Sequence, residues 1–450
     1  MKTRKTRSHL RTLGIAGVGN LLTIDPARRS LQSSLFLVVP AALALGWAAT
    51  AAADDDQKFP STGQTICYDS TGAFPCADTG RDGEIRPGAK LRYKDNGDGT
   101  ILDLNILLVW EKKSDDDPLI QQGPKLTGSG ESGIGGFGDS VALSSDGNTA
   151  LIGGPLDNSE VGAAWVFTRS GSTWTQQGEK LTGSGESGIG DFGNGVALSS
   201  DGNTALIGGP LDNSEVGAVW VFTRSGSTWT QQGEKLTGSG ESGIGDFGNG
   251  VALSSDGNTA LIGGPLDNSE VGAAWVFRRS GPTWTQQGEK LTGSGESGKG
   301  RFGTSVALSS HGNTALIGGS RDNSRVGAAW VFTRSGSTWT QRGEKLTGSG
   351  EIGQGHFGAA VALSSNGRTA LIGGTDDNSE VGAAWVFRRS GSTWTQQGEK
   401  LIGSGESGKG FFGNGVPLSS DGNTALIGGP GDSSCVGAAW VFVNPRREAP

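Results

Sequence analysis

The sequence contains few of the residues that carry most catalytic chemistry. Its 450 residues include three His, three Cys, two Tyr and one Met. A Ser–His–acid or Cys–His site needs a His that a third group orients. Only His311 and His356 follow the N-terminal segment, and neither lies near a plausible set of partners in the sequence. We therefore interpret both as exposed loop residues, and we predict that the chain is not an enzyme and uses no cofactor.

The sequence also lacks a sustained helical period and, beyond its N-terminus, an excess of positive charge. Gly supplies 81 positions, and Gly or Pro interrupts every repeat segment longer than about nine residues. Residues 1–53 hold seven Lys/Arg and one Asp, which leaves 30 Lys/Arg against 44 Asp/Glu in the remainder. Because phosphate neutralisation needs clustered Lys/Arg, we expect no nucleic-acid partner and no binding to an anionic membrane surface.

The first 53 residues have the order of an export signal. Lys and Arg residues open the chain, and an uncharged run from Ser30 to Ala53 contains the apolar segment 35–45. Small residues at 49–53 follow it, as a cleavage site requires. We predict that the chain is exported and is secreted or displayed at the cell surface. The run is also close to the length that spans a bilayer, so an uncleaved membrane anchor is the alternative, and Arg28-Arg29 leaves both Sec and twin-arginine export open.

Three cysteines follow the signal. Cys67 and Cys76 lie nine residues apart in a turn-rich segment, which predicts a disulfide in an oxidising compartment. The pair has no second Cys pair and no nearby His, so we expect no zinc site. Cys435 stands where the other repeats have Glu or Arg, and we interpret it as an exposed surface residue.

Six copies of one unit occupy residues 117–444. A Phe-Gly pair recurs every 55 residues, at Phe137, Phe192, Phe247, Phe302, Phe357 and Phe412. A fixed period in this range indicates a repeat architecture. Each unit has four strand-like runs, which are 140–145, 149–153, 162–168 and 173–177 in the first unit. Four short antiparallel strands per unit predict an all-β, six-bladed β-propeller, with buried rows of Trp and Phe and a short tail at 445–450.

The two ends of the array predict that the ring closes. The sixth unit stops after its third strand, at 438–442, and a segment in register with the missing fourth strand, 119–126, precedes the first unit. Pairing of these two segments would complete the last blade and remove the exposed strand edges. We therefore expect a closed ring made by strands from both ends, and a monomer.

The repeat resembles a known family. Its Phe-Gly opening, the Gly-Gly-Pro at 153–155 and the Gly-Ala-Ala-Trp-Val-Phe strand at 162–167 are similar to the FG-GAP repeat, best known from the integrin α-subunit propeller. The likeness is closer to bacterial extracellular members, and it implies the propeller fold and a role in adhesion. Calcium-binding members carry an Asp-rich loop between the first two strands. Here that loop is 145–149, with Asp146 as its one carboxylate, whereas calcium takes six to eight oxygens; we expect no metal.

A second resemblance covers the segment before the repeats, residues 54–116. Phe59-Pro60-Ser61-Thr62-Gly63, Cys67-Tyr68 and Trp110-Glu111-Lys112 are similar to the opening of the domain at the C-terminus of collagen-like bacterial adhesins, the Lcl C-terminal type. The chain passes into the repeats where that domain would continue. We therefore expect a truncated, β-rich adhesin-type segment that ends in an acidic linker at 111–117.

The blade topology sorts the loops onto two faces. The turns between strands 1 and 2 and between strands 3 and 4 lie on one face, here named the turn face. The loops between strands 2 and 3 and between successive blades lie on the other, here named the loop face. The loop face is expected to be acidic and to bind the ligand, with these predicted residues: Asp157, Glu160, Asp212, Glu215, Asp267, Glu270, Asp377 and Glu380. Five basic residues are expected to relieve its charge locally: Lys299, Arg301, Arg321, Arg325 and Lys409.

These observations predict a non-enzymatic binding protein, active in adhesion or recognition of a macromolecule outside the cell. The expected partner is a protein or a polysaccharide, and membrane contact is expected only through an uncleaved signal. A secreted carbohydrate-active hydrolase or lyase on a propeller scaffold is the alternative function. A purely structural repeat protein is the third interpretation.

Overall fold

The computed structural model describes residues 123–444 and five short strands before them. The predicted export signal, residues 112–117 of the predicted linker and the tail 445–450 lie outside the described residues. The chain divides into two units near residue 121. Within the described residues, no helix has the length and apolar character needed to cross a bilayer.

The first unit contains a hairpin and a three-stranded antiparallel meander. Its strands are Ile66–Asp69, Gly72–Pro75, Tyr93–Asp95, Thr100–Asp103 and Val109–Glu111. In the hairpin, Cys67 lies opposite Phe74. Cys76 lies outside the described residues, so the disulfide between Cys67 and Cys76 stays a prediction.

The second unit is a tandem array of blades, as the repeat period predicted. Each of the first five blades is an antiparallel sheet of four consecutive strands, and the sixth sheet has two. The first strands of blades 1 to 5 are Ser140–Leu143, Gly195–Leu198, Gly250–Leu253, Phe302–Leu308 and Phe357–Leu363. The second strands of blades 1 to 6 are Thr149–Gly154, Thr204–Gly209, Thr259–Gly264, Thr314–Gly319, Thr369–Gly374 and Thr424–Gly429.

The remaining elements repeat in the same way. The third strands are Ala163–Ser170, Ala218–Ser225, Ala273–Ser280, Ala328–Ser335, Ala383–Ser390 and Ala438–Val443. The fourth strands of blades 1 to 5 are Thr173–Gln176, Thr228–Gln231, Thr283–Gln286, Thr338–Gln341 and Thr393–Gln396. Short turns with a left-handed backbone join strands 2 and 3, at Asp157–Glu160, Asp212–Glu215, Asp267–Glu270, Asp322–Arg325, Asp377–Glu380 and Asp432–Cys435.

The core lies between neighbouring blades and is built from the predicted Trp and Phe rows. Trp220 of the third strand is fully buried, and the Phe192 ring lies edge-on to it with ring centroids 5.2 Å apart. Phe192 and Trp220 share one cluster with Leu151 and Val166 of the preceding blade. Each blade therefore completes its core only against its neighbour, which explains why the unit occurs as an array.

Glycine allows the backbones of adjacent blades to touch. A Cβ on Gly208 would lie 2.1 Å from the carbonyl oxygen of Gly248 in the next blade. Gly248 has a φ of 102°, and its N–H donates to the Gly263 carbonyl at 3.0 Å within its own blade. The Phe-Gly and Gly-Gly pairs thus face each other across each internal interface, at a distance that no side chain would permit.

The closure expected from residues 119–126 is not formed among the described residues. In the five complete blades a Leu after the fourth strand bridges the third strand, as Leu401 does to Ala384, but Leu126 makes no such bridge to Ala439. In the complete blades a Lys after the fourth strand pairs with the Asp of the strand 2–3 loop, as Lys400 does with Asp377. Lys125 is in register with that Lys, but it is exposed and forms no ion pair with Asp432. The outer side of the sixth sheet is accordingly open, with Val441 66% exposed.

The sixth blade also departs from the others in its first strand. Pro417 stands where the other units have Ala, and only isolated bridges flank it, Gly415 to Gly428 and Leu418 to Ala425. Proline has no N–H to donate to a strand ladder. The terminal sheet is therefore reduced to two strands within the described part of the chain.

Gly208→Ala is predicted to destabilise the array, and the same change in the sixth blade serves as its matched control. The new methyl would collide with the backbone of the next blade, and overpacking of this kind costs about 1–3 kcal/mol. At the equivalent Gly428 the nearest atom is 3.9 Å away, so Gly428→Ala should change stability by less than about 0.5 kcal/mol. Thermal melting of both variants provides the measurement. Equal losses in the two variants would show that a blade packs on the sixth sheet in solution.

Candidate functional site

The loop between strands 2 and 3 has an unusual backbone in every blade. In blade 1, Asn158, Ser159 and Glu160 have φ values of 52°, 60° and 69°. Residues other than glycine rarely adopt this left-handed conformation, and each one costs on the order of 1–3 kcal/mol that the surrounding structure must offset. The same three positions are left-handed in the other five blades. The left-handed backbone of this loop is therefore common to all six repeats.

Asp157 anchors this loop from below. It is fully buried, its Oδ1 accepts from the Ser132 N–H at 2.6 Å, and its Oδ2 accepts from the Lys180 Nζ at 2.5 Å. The Asp157 carbonyl also accepts from the Gly162 N–H at 2.8 Å. The carboxylate thus joins the strand 2–3 loop to the preceding interblade loop and to the segment after the fourth strand. Equivalent ion pairs are Asp212–Lys235, Asp267–Lys290, Asp322–Lys345 and Asp377–Lys400.

The burial of these aspartates corrects the prediction that they bind a ligand. Asp157, Asp212, Asp267 and Asp377 are at most 1% exposed, and in each blade both oxygens already have partners. Their physical role is to hold the loop. The sequence predicts that an Asp in a polar loop is exposed, because it does not show that a Lys 23 residues further along pairs with this Asp.

The glutamates at the end of the loop remain accessible. Glu160 is exposed, and Glu215 and Glu380 are partly exposed. The Glu160 carbonyl accepts from the N–H groups of Gly190 and Asp191 at 3.0 and 2.9 Å, which ties its backbone to the next interblade loop. These side chains stand on a fixed backbone, one each in blades 1, 2 and 5, and no described hydrogen bond or ion pair joins one of them to another.

Around Glu270 three of the predicted basic residues compensate the acidic charge. Its carboxylate lies 3.0 Å from Lys299 Nζ, 2.8 Å from Arg301 and 3.5 Å from Arg321. Hydrogen bonds from Arg301 and Lys299 lower the pKa of Glu270 to about 2. In blade 5 Glu380 pairs with Lys409 at 2.7 Å. The loop face is therefore acidic near blades 1 and 2 and charge-compensated near blade 3.

A second row of glutamates lies in the interblade loops. Burial, opposed in part by the nearby Lys235 and reinforced by Asp212, raises the pKa of Glu186 to about 7. The pKa of Glu241 rises to about 8 for the same reasons, with Asp267 and Lys290 in these roles. Glu296 and Glu351 rise to about 7, and Glu406 to about 6. Burial is the main cause of these raised pKa values, and the Asp carboxylate near each Glu, which only the folded chain brings there, adds to it.

The two histidines differ from each other. His311 is exposed, as predicted. His356 corrects the prediction, because it is partly buried and its Nδ1 lies 3.2 Å from Asp376 Oδ2. Cys435 is exposed, as predicted.

The strand 1–2 turn uses its carboxylate internally. Asp146 Oδ1 accepts from the Ser144 hydroxyl at 2.6 Å and from the Asn148 N–H at 3.0 Å, which closes the turn. Within the described residues, no group of three or more His, Cys, Asp or Glu side chains is placed to hold a metal ion.

On the turn face, a cleft of about 460 Å³ lies between blades 4 and 5. His311, Arg334, Arg342, Asn366 and Arg389 are among the residues that line it. The cleft was not predicted from the sequence, because the basic substitutions between repeats were considered only for the loop face. The available signal was the local departure from the repeat at positions 311, 342 and 366.

Comparison with known proteins gives fold likenesses alone. No family model and no curated protein matches the chain. A Bacteroides fragilis protein provisionally named a 6-phosphogluconolactonase is similar over 75% of this chain and 86% of its own, at 12% identity and a TM-score of 0.45. Hydrazine synthase of Kuenenia stuttgartiensis is similar over 77% and 89%, at 12% and 0.44, and TolB of Acinetobacter baumannii over 79% and 79%, at 10% and 0.36. The assignment as a repeated-blade, propeller-type chain comes from its own strand topology.

Asp212→Asn is predicted to destabilise the protein. The change leaves Lys235 without its counter-ion beside the core, and loss of one partner of a buried pair costs about 3–5 kcal/mol. The lower end applies, because the Lys235 side chain is 21% exposed and water can reach it. Denaturant unfolding measures the loss. Glu215→Gln, three residues along the same loop, is the control and should unfold like the parent protein.

The raised pKa values of the interblade glutamates predict that stability falls as pH rises. The folded protein holds these protons more tightly than the unfolded chain, so the favourable contribution is complete below about pH 4.5 and is lost through pH 7 to 8. Replacement of Glu186, Glu241, Glu296 and Glu351 by Gln should flatten the dependence of melting temperature on pH between 5 and 9. Gln at the exposed Glu179, Glu234, Glu289 and Glu344 is the control. A slope that survives the first set of changes would contradict the assignment.

Proposed function

We propose that the chain is an exported, non-enzymatic binding protein of the bacterial FG-GAP type, which recognises a protein or polysaccharide outside the cell through its loop face. The observation that carries this proposal is the left-handed loop kept in all six blades. Strain of this kind persists where the surrounding structure fixes it, and it is concentrated at binding and catalytic sites. Here it holds Asn158, Ser159 and Glu160 with their side chains exposed.

The repeated loop suits a polymeric partner. Blades 1, 2, 3 and 5 present the same short set of amide, hydroxyl and carboxylate groups on one face, and the Asp–Lys pair beneath keeps the backbone in place. Several weak contacts to one chain bind more tightly than any of them alone. The proposal does not need ring closure, because the blade topology alone puts these loops on a common face.

The resemblance to FG-GAP repeats and to the adhesin-type segment supports adhesion as the setting, and the N-terminal signal supports export. Charge explains which part of the face would be used. Glu160, Glu215 and Glu380 are at least partly exposed, and of these three Glu380 has one basic partner, Lys409. Glu270, by contrast, is held by three basic side chains. The partner is therefore expected to offer cationic or hydrogen-bond-donating groups.

The test is binding of the purified protein to arrays of glycans and of extracellular matrix proteins. Saturable binding without chemical change in the bound glycan is expected. Turnover of a glycan would replace the proposal by the hydrolase or lyase alternative, and the absence of any binding would favour the purely structural interpretation.

The residues are tested with the best partner from the arrays. The triple variant Glu160→Gln, Glu215→Gln, Glu380→Gln should weaken binding at least about tenfold, because three exposed charge contacts are each worth about 0.5 kcal/mol. The matched control is Glu179→Gln, Glu234→Gln, Glu399→Gln, which removes the same charge from exposed positions after the fourth strands. Equal affinities in the two triple variants would move the site away from the strand 2–3 loops.

A further inference from the structure

The cleft between blades 4 and 5 differs from the surface of the other blades in its charge. In blades 1, 2, 3 and 6 the strand 1–2 turn carries an Asp, at Asp146, Asp201, Asp256 and Asp421. Blades 4 and 5 carry His311 and Asn366 at this position. The residue after the fourth strand is Gln in the other complete blades and Arg342 in blade 4. Of the residues that line the cleft, three are Arg and none is acidic.

The Arg342 substitution also removes a hydrogen-bond acceptor from the outer Trp of the next blade. In blades 2 to 4 the outer Trp donates its indole N–H to a Gln of the preceding unit, as Trp229 does to Gln177 at 3.0 Å and Trp339 to Gln287 at 3.2 Å. Arg342 occupies this Gln position for blade 5, and a guanidinium has no acceptor atom. The Trp394 indole nitrogen is accordingly buried with no hydrogen-bond partner among the described residues.

Arg389, which lies opposite Trp394 in the blade 5 hairpin, loses an acceptor as well. In blades 2 to 4 the equivalent Arg donates to an Asn of the strand 1–2 turn, as Arg224 does to Asn203 at 3.0 Å. In blade 5 that Asn is replaced by Arg368, which cannot accept. The guanidiniums of Arg342 and Arg389 line one cavity with Arg334, and the Trp394 N–H that lacks an acceptor belongs to the hairpin that carries Arg389.

We propose that this cleft binds an oxyanion-bearing ligand, through the guanidiniums of Arg334, Arg342 and Arg389. A carboxylate, sulfate or phosphate group supplies the acceptor oxygens that the substitutions removed, and guanidinium forks match these groups in shape. The volume of about 460 Å³ is in the range of small-molecule sites, so a sugar acid or the end of an acidic polymer would fit. The site lies on the turn face and is independent of any ligand of the loop face.

The test is calorimetric titration of the full protein at low ionic strength with three probes: inorganic sulfate, inorganic phosphate and glucuronate. At least one probe should bind saturably at one site, and the probe that binds best distinguishes a sulfate, a phosphate or a carboxylate source. Absence of saturable binding by all three would overturn the proposal.

Arg342→Gln is the decisive variant, because it restores the residue that the other blades carry and returns an acceptor to Trp394. It should fold with an unchanged or higher melting temperature and weaken the binding about ten- to a hundredfold. The control, Arg325→Gln, removes one positive charge from the loop face of the same blade and should leave the affinity unchanged. Equal weakening in the two variants would show diffuse attraction to net charge and would contradict a site in the cleft.

Discussion

The structure depends on the close backbone contact between each blade and the next. The Phe-Gly pair of one blade meets the Gly-Gly pair of the blade before it, and a Cβ at Gly263 would lie 2.0 Å from the Gly303 carbonyl oxygen. This approach brings Phe302 against Trp330 within one blade and against the strands of the previous blade. Because the Trp of each of blades 2 to 5 is buried in a cluster shared with the preceding blade, the glycines set the geometry on which this core relies.

Above this core, the acidic residues of the repeat serve two different purposes. Asp212 is enclosed and pairs with Lys235, whereas Glu215, three residues later, reaches solvent. Glu186 lies between these extremes, since it covers the Asp–Lys pair and shares its low-dielectric surroundings. The acidic residues of one repeat thus lie at three depths. Asp212 is buried and holds the loop, Glu186 is partly buried and has a raised pKa, and Glu215 reaches solvent.

Much of the architecture could be predicted from the sequence because it is repeated six times. The 55-residue period and the turn residues predicted the four strands of blade 1 to within two residues, and the apolar alternation identified Trp165 and Phe167 as core. The burial of Asp157 could not be predicted, because it depends on Lys180 and on a backbone N–H from another loop. His356 was misjudged for the same reason, because Asp376 reaches it only through the fold.

The cleft between blades 4 and 5 shows how near-identical units acquire different surfaces. His311, Arg342 and Asn366 change the turn face without any change in the buried Trp, Phe and Gly positions that hold the blades together. Every internal interface joins the same two surfaces, so no single unit encodes how many units there are. Unequal recombination between such copies would lengthen or shorten the gene by whole blades, and each new junction would already fit.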